Sequence, residues 1–457
     1  MTSTEQFETN DRSANQPAGH TLIVGLGVSG LAAARFLAAR GEPIVVIDSR
    51  GAPPALESLK REQPDVPVEL GTLDPRWLDG ASRIVLSPGL AIDLPLVVEA
   101  RHRGIEISGE LELFARAAVA PVLAVTGSNG KSTVTTLTSA LLRAQGFNAP
   151  AGGNLGPPAL ELLEHGDVDA YVLEVSSFQL ETTRSLRPLA AALLNISPDH
   201  MDRHGSLARY AELKASLIES ADRAIVNWDD PLVRGLAPRS VDTIPFSVSE
   251  PLARGWSVVE RDSERWLARD LEPLIASSAL AQSGRIAEAN ALAALALAIN
   301  LGGDLDLAVA ALPNFAGLPH RLQLVREVRG VSYVDDSKGT NVGATVAALE
   351  ASDLPTVLIA GGRAKGADFA PLVAAAERRV RAAVLIGEAA PALEGALGET
   401  CETVLATSMA AAVEAAAAIA ESGDRVLLSP ACASQDMFVD YRARGEAFAQ
   451  AVEALAP

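Results

Sequence analysis

The apolar run VLAV at 122–125, followed at once by TGSNGKST at 126–133, restricts this chain more than any other stretch. A short apolar run ending at glycine reads as a buried strand, and the periodicity that resumes beyond it predicts a helix over 134–145. A glycine-rich turn between strand and helix aims backbone N–H groups at one point, where they cradle phosphates. Lys131 then reaches the terminal phosphates and Ser132 stands where a hydroxyl meets Mg²⁺, with Gly127, Ser128, Asn129, Gly130 and Thr133 completing the loop. Val125 occupies the first glycine position of GxxxxGK[ST], so the loop is a shortened form of that pattern. The competing reading is a turn with a surface lysine; the strand–turn–helix context favours the cradle. This reading puts Lys131 on an exposed loop, where alanine would abolish turnover without unfolding the chain.

A second glycine-rich turn, Gly25-Leu-Gly27-Val28-Ser29-Gly30, follows the strand-like TLIV and opens an alanine-rich helical stretch. The strand IVVID then ends on Asp48, at about the twenty-residue interval of a ribose-binding acid. Alone, GxGxxG fits NAD, FAD, any diphosphate, or tight strand–helix packing with no ligand.

With 457 residues, 48% hydrophobic and 21% charged, the chain has the composition of a globular protein of about three domains. Alternating strand and helix signals place all three in the α/β class. The expected organisation is a flexible tail over 1–18, a doubly wound Rossmann-like domain over 19–119, a central P-loop domain over 120–318 and a Rossmann-like domain over 319–457. Gly317 and Pro319 in NFAGLPHRLQ punctuate the second boundary, and the alanine-rich tract at 408–421 reads as helix. A net charge of −19 disfavours nucleic-acid and acidic-membrane contact, so anionic ligands need local sites. Domains of this size bury a core without disulfide staples, and the two cysteines, Cys401 and Cys432, lack the CxxC spacing of a zinc finger or redox pair, which fits reduced thiols in a cytoplasm. The polar first 18 residues are no secretory signal, and the apolar stretch at 289–301 is too short to span a bilayer.

Other polar clusters fall just beyond predicted strands, where α/β proteins bind ligands. Glu174 ends YVLE, the place of a second Mg²⁺ carboxylate beside a P-loop; without that loop it would read as a solvated strand end. Asn195-Ile-Ser-Pro-Asp199-His200-Met-Asp202-Arg203-His204 packs five ionisable residues together, but Met201 stands where the Glu of a zinc HExxH motif belongs. The loops DDSKGTN at 335–341 and GGRAKGAD at 361–368 place Lys338 and Lys365 where cations suit a carboxylate-bearing co-substrate, ordinary loop solvation being the alternative.

These motifs, with SPG at 87–89, GGNLG at 152–156, EVSSFQL, DHMDRH, GLPHRL and LLSPACASQD, resemble the Mur ligases, ATP-dependent amino-acid-adding enzymes of peptidoglycan synthesis, from about 21 to 445. The resemblance implies that the first domain binds a UDP-linked substrate through Val28, Ser29, Asp48, Arg50 and Ser87, with Asn154 and His200 towards its muramoyl-alanine end. It implies nucleotide contacts from Lys131, Asn290, Arg321 and Asp336, and D-glutamate contacts from Lys338, Thr340, Lys365 and Ser434. Lys214 matches a lysine that CO₂ carbamylates into a metal ligand, which with His200 would hold a second Mg²⁺ beside the ion on Ser132 and Glu174. Three positions depart from the pattern: Ile286 and Ala287 replace His-Asn, and Tyr441 replaces a phenylalanine.

The implied reaction is ATP-dependent ligation of D-glutamate to UDP-N-acetylmuramoyl-L-alanine through an acyl phosphate, by a cytoplasmic monomer. The alternatives are a folylpolyglutamate synthase-like ligase and, from another class, a dinucleotide-binding dehydrogenase or sensor that would leave TGSNGKST unexplained.

Overall fold

The computed structural model describes residues 19–282 and 284–456, so the tail expected over 1–18 lies outside it. Contacts divide the chain into two compact units, one of residues up to 120 with 151–168 and 175–187, the other of 121–150, 169–174 and 188–457.

The first unit is built on largely apolar strands, of which His20–Val24 and Ile44–Asp48 are buried at every residue. Such runs belong to parallel sheets covered on both faces. In order across the sheet come Val68–Leu70, Ile44–Asp48, His20–Val24, Ala81–Leu86 and Glu106–Ser108, all parallel. The chain order reverses beside His20–Val24, so a crevice opens at that strand's C-terminal end, where the GLGVSG turn begins.

The helix Glu110–Ala117 carries two buried glutamates that fasten the distant segments of this unit. Glu112 accepts hydrogen bonds from the Arg184 and Ser185 N–H groups and the Ser185 hydroxyl. Glu110 accepts the Leu160 N–H at 2.7 Å, and burial pushes its carboxyl up to about 7. A carboxyl raised on folding contributes stability that is present at low pH and declines as pH rises through about 7. Glu110→Gln is therefore expected to match the parent near pH 5 and exceed it at pH 8 by about 2–3 kcal/mol in urea unfolding. Equal stability at pH 8 would contradict this.

The second unit holds two sheets. In the first, Val122–Thr126 lies between Tyr171–Glu174 and Ala190–Leu193, parallel to both, followed outward by Arg223–Asn227, Asp242–Ser247 and an antiparallel extension of Trp256–Arg261, Glu264–Arg269 and Glu272–Ala276. The second sheet runs Gln323–Val328, Val331–Asp335, Arg425–Leu428, Thr356–Gly361, Val380–Ile386 and Glu402–Leu405, parallel except for its first strand. Alternation along Thr356–Gly361 feeds two cores: Leu358 and Ala360 pack with Leu372 and Leu393, whereas Val357 and Ile359 pack with Val413 and Phe448. The alanine-rich tract forms the helix Met409–Ile419, with the Ser408 side chain accepting the Ala411 N–H at its start. The fold is α/β in three parts, a central P-loop sheet and two Rossmann-like sheets. Among the described residues no helix is long and apolar enough to cross a membrane.

Candidate functional site

In the first unit the GLGVSG turn is shaped by contact with its neighbours. A Cβ on Gly30 would overlap the Gly25 carbonyl oxygen, which is why a glycine there lets the helix Val28–Ala38 start so close to the strand. The Ser87 hydroxyl donates to the Gly25 carbonyl oxygen at 2.8 Å. Asp48 accepts the Leu26 N–H at 2.7 Å on one oxygen and the Arg50 N–H at 2.8 Å on the other, while the Arg50 guanidinium grips both. Those bonds, led by Arg50, pull the Asp48 carboxyl down to about 2. Sequence spacing suggested a ribose-binding acid; the structure shows a carboxylate already shared between the glycine turn and Arg50, which weakens the dinucleotide reading. Val28 is exposed on the first turn of the helix, Ser29 is half-buried, and Asn154 is exposed in the GGNLG segment of the same unit.

In the second unit the P-loop is strapped to the end of Ala190–Leu193. Ser128 N–H donates to the Asn195 carbonyl at 2.9 Å, Asn129 N–H to Asn195 Oδ1 at 2.8 Å, and Ser197 N–H to the Ser128 hydroxyl at 2.9 Å. Gly130 adopts the left-handed conformation needed to enter the helix Lys131–Ala144, and a Cβ there would come within 2.9 Å of Asn290 Oδ1. Lys131 is not on an exposed loop as the sequence suggested. It is the first residue of the helix and half-buried, its Nζ donating to the Gly127 and Ser128 carbonyls at 2.9 Å. The short loop curls the lysine back over its own backbone, and burial lowers the ammonium below its usual range.

The Ser132 hydroxyl donates to Glu174 and accepts from the Arg321 guanidinium at 2.7 Å, so an arginine leading into the third sheet touches the P-loop serine. Burial lowers Arg321 from its ordinary value. Ser132 and Glu174 offer hard oxygen donors on a phosphate loop, a set that fits Mg²⁺. Lys214, on Leu207–Glu219, is buried beneath the loop, donating to the Gly127 carbonyl at 2.8 Å with its ammonium 4.6 Å from the Tyr210 ring centre. Burial and then the Lys131 charge push it well below the usual lysine range. His200 is left-handed, with φ of 55°, and burial keeps it below its ordinary value, so it is largely neutral towards Asp199 at 3.7 Å. His204 instead turns into the protein beside Tyr210. Among the described residues no three His, Cys, Asp or Glu side chains cluster as a metal site.

Three loops meet at the C-terminal ends of adjacent strands in the third sheet, carrying Lys338 and Thr340, then Lys365, then Ser434. Asp336 is buried, accepts the Ser429 hydroxyl at 2.8 Å, and is raised by burial to about 7. Lys338 lies 4.2 Å from the Tyr441 ring centre, and burial lowers it to about 8. The extra hydroxyl of Tyr441 accepts from Arg442 at 3.3 Å. Lys365 is exposed and left-handed, a sparsely populated backbone state that collects at ligand sites. Asn341 and Asn129 exchange amide hydrogen bonds, and Asn341 also donates to Asp199 at 3.2 Å, tying the third sheet's first loop to the P-loop. An open pocket beside the P-loop helix is lined by Thr133, Leu137, Gln282, Ala287, Asn290 and Phe315. Ala287, one of the two departures from the His-Asn pattern, thus forms an apolar part of its wall.

Sequence reasoning assigned no role to Asn195, Tyr210, Asn341 or Arg444. Asn195 and Asn341 stood inside quoted motifs. Arg444 gave no signal, because an arginine in a helical segment ordinarily reads as solvated.

Family matches divide the chain in the same order as its sheets. The MurD-like N-terminal domain of Mur ligases matches residues 19–109, the Mur ligase middle domain 125–298, and the Mur ligase glutamate ligase domain 320–432. The UDP-N-acetylmuramoylalanine–D-glutamate ligase of Nitrosococcus oceani is 47% identical over 97% of this chain and 98% of its own length. The enzyme of the same name from Pseudomonas aeruginosa is 45% identical over 95% and 98%. Among solved structures, a pseudomurein peptide ligase type C from Methanothermus fervidus shares the fold with a TM-score of 0.59 at 17% identity, covering 95% of this chain and 99% of its own. A Mycobacterium tuberculosis folylpolyglutamate synthase complexed with ADP has a TM-score of 0.57 at 15% identity, covering 79% and 98%.

Proposed function

The chain belongs to the Mur ligase family, and from that premise we propose that it joins D-glutamate to UDP-N-acetylmuramoyl-L-alanine at the expense of ATP, as a cytoplasmic monomer in peptidoglycan precursor synthesis. The observation that carries the reading is the hydrogen bond from Arg321 to Ser132, whose hydroxyl in turn donates to Glu174; it joins the phosphate loop to the sheet bearing Lys338, Lys365 and Ser434.

A carboxylate does not condense with an amine in water because oxide is a poor leaving group. Attack of a substrate carboxylate oxygen on the γ-phosphorus of ATP, with ADP leaving, makes an acyl phosphate. The amine nitrogen of glutamate then attacks the carbonyl carbon, phosphate departs, and the nitrogen gives up a proton. Positioning and charge stabilisation dominate such phosphoryl transfer. Residues 127–133 hold the ATP phosphates through backbone N–H groups, Lys131 turns from its loop carbonyls to the phosphate oxygens, and Arg321 adds a second cation. Asn290 and Asp336 contact the nucleotide, and the pocket beside Asn290 takes the adenine on a largely apolar wall.

Ser132 and Glu174 would hold Mg²⁺, which would neutralise phosphate charge. Burial lowers Lys214 well below the usual lysine range, which favours the free amine that attacks CO₂; as a carbamate it would hold a second ion with His200. Lys338, Thr340, Lys365 and Ser434 bind the two carboxylates of D-glutamate beside the Tyr441 ring. In the first unit, Val28, Ser29, Ser87 and the Asp48–Arg50 pair hold UDP at the glycine turn, and Asn154 serves the muramoyl-alanine part.

The test is phosphate release from ATP and Mg²⁺ with UDP-N-acetylmuramoyl-L-alanine and D-glutamate, L-glutamate or no amino acid. Release that requires D-glutamate is expected. Dependence on L-glutamate alone would overturn the stereochemistry, and no release with either would overturn the ligase reading.

A further inference from the structure

Arg444 lies in the helix Tyr441–Glu453 and is 1% exposed, the largest fully buried side chain among the described residues. Among the described residues it forms no ion pair, although burying a guanidinium without a carboxylate is costly. Its donors go to three loops instead. Nε donates to the Ser337 hydroxyl at 3.0 Å and Nη2 to the Ser337 carbonyl at 2.8 Å. Nη1 reaches the Cys432 carbonyl at 3.1 Å and the Gly361 carbonyl at 3.5 Å. Ser337 precedes Lys338, Gly361 opens the loop of Lys365, and Cys432 lies two residues before Ser434.

One rigid fork therefore fixes the backbone beneath all three loops to which the amino-acid site has been assigned. The close approach is built in, since a Cβ on Gly362 would lie 3.2 Å from Nη1 and overlap the Ala433 carbonyl oxygen. The Ser337 hydroxyl extends the arrangement by donating to the Tyr441 carbonyl at 2.8 Å, at the start of the arginine's own helix. Arg363 and Ala433 exchange backbone hydrogen bonds that pair the second and third loops, but among the described residues no other side chain bonds to all three. A planar fork suits this task and a lysine does not, because an ammonium is a point donor on a flexible stem.

We propose that Arg444 is a positioning residue for the amino-acid co-substrate: it sets the spacing of Lys338, Lys365 and Ser434 to match a dicarboxylate, without touching that ligand. This rests on the ligase reading above. Displacing a binding group by about 1 Å can cost on the order of a hundredfold in rate, so small shifts of these loops should be visible in kinetics.

The experiment compares Arg444→Lys, which keeps the charge and loses the fork, with the parent chain. KM is measured for D-glutamate, ATP and UDP-N-acetylmuramoyl-L-alanine, alongside thermal melting and ADP formed in a single turnover without amino acid. The expected result is a rise of about tenfold or more in KM for D-glutamate, with the other two constants within about twofold and amino-acid-independent ADP formation unchanged. An unchanged KM for D-glutamate, or a parallel rise in all three constants, overturns the proposal. Should the lysine variant fail to melt cooperatively, Ser337→Ala removes only the hydroxyl that Nε meets, and the same selective rise is expected; its absence overturns the proposal equally. A parent chain that releases no phosphate with any amino acid indicts the ligase reading, whereas a working parent with an indifferent variant indicts only the role of Arg444.

Discussion

Lys131→Ala is expected to reduce D-glutamate-dependent phosphate release by at least about 10²–10³-fold, because the lost group supplies preorganised charge where negative charge accumulates on the transferring phosphoryl group. The structure changes the accompanying stability expectation. Since Nζ donates to the Gly127 and Ser128 carbonyls in the ATP-free chain, truncation removes two hydrogen bonds and costs about 1–2 kcal/mol. The loop itself should persist, because the Asn195 and Ser197 straps that shape it do not involve the lysine. A variant that melts slightly earlier but cooperatively, and turns over at less than a hundredth of the parent rate, is the predicted outcome. Turnover above a tenth of the parent rate would remove Lys131 from the phosphate site.

The same lysine marks how far the sequence could be read. That TGSNGKST forms a strand–turn–helix was legible because glycine spacing, apolar run and helical periodicity agree, and each is a local property. The lysine's own environment was not legible, because it depends on a loop that closes over itself and on the charges of Glu174, Asp199 and Arg321, all distant in sequence. Asp48 tells the same story: its spacing from the glycine turn was visible, its saturation by Leu26 and Arg50 was not. Segments 151–168 and 175–187 group with the first unit through Glu110 and Glu112, two residues that look like ordinary helix-surface acids in sequence. Arg444 is the extreme case. Its helix also carries an exposed arginine two positions earlier, and only the packed loops distinguish the two.

Lys214→Met separates folding from chemistry at the other buried lysine. Lys214 is 1% exposed, its Nζ with one good acceptor, the Gly127 carbonyl, a more distant Thr126 hydroxyl at 3.5 Å, and no ion pair among the described residues. Replacing it with an apolar chain of similar volume gives up one hydrogen bond and relieves the burial of an amine. The two effects oppose, so stability should change by no more than about 1 kcal/mol in either direction. If the role were structural, activity would follow stability and barely move. If Lys214 becomes a carbamate that holds metal beside the phosphate loop, methionine removes an anionic ligand, and phosphate release should fall by about 10²–10³-fold in a chain that melts normally. Carbamylation also makes activity depend on dissolved CO₂, because the adduct forms from the free amine that burial favours. Parent enzyme depleted of CO₂ should therefore regain activity on adding bicarbonate, while the methionine variant should not respond. A fully active Lys214→Met would assign the lysine to the fold alone and leave Ser132 and Glu174 as the metal-binding pair.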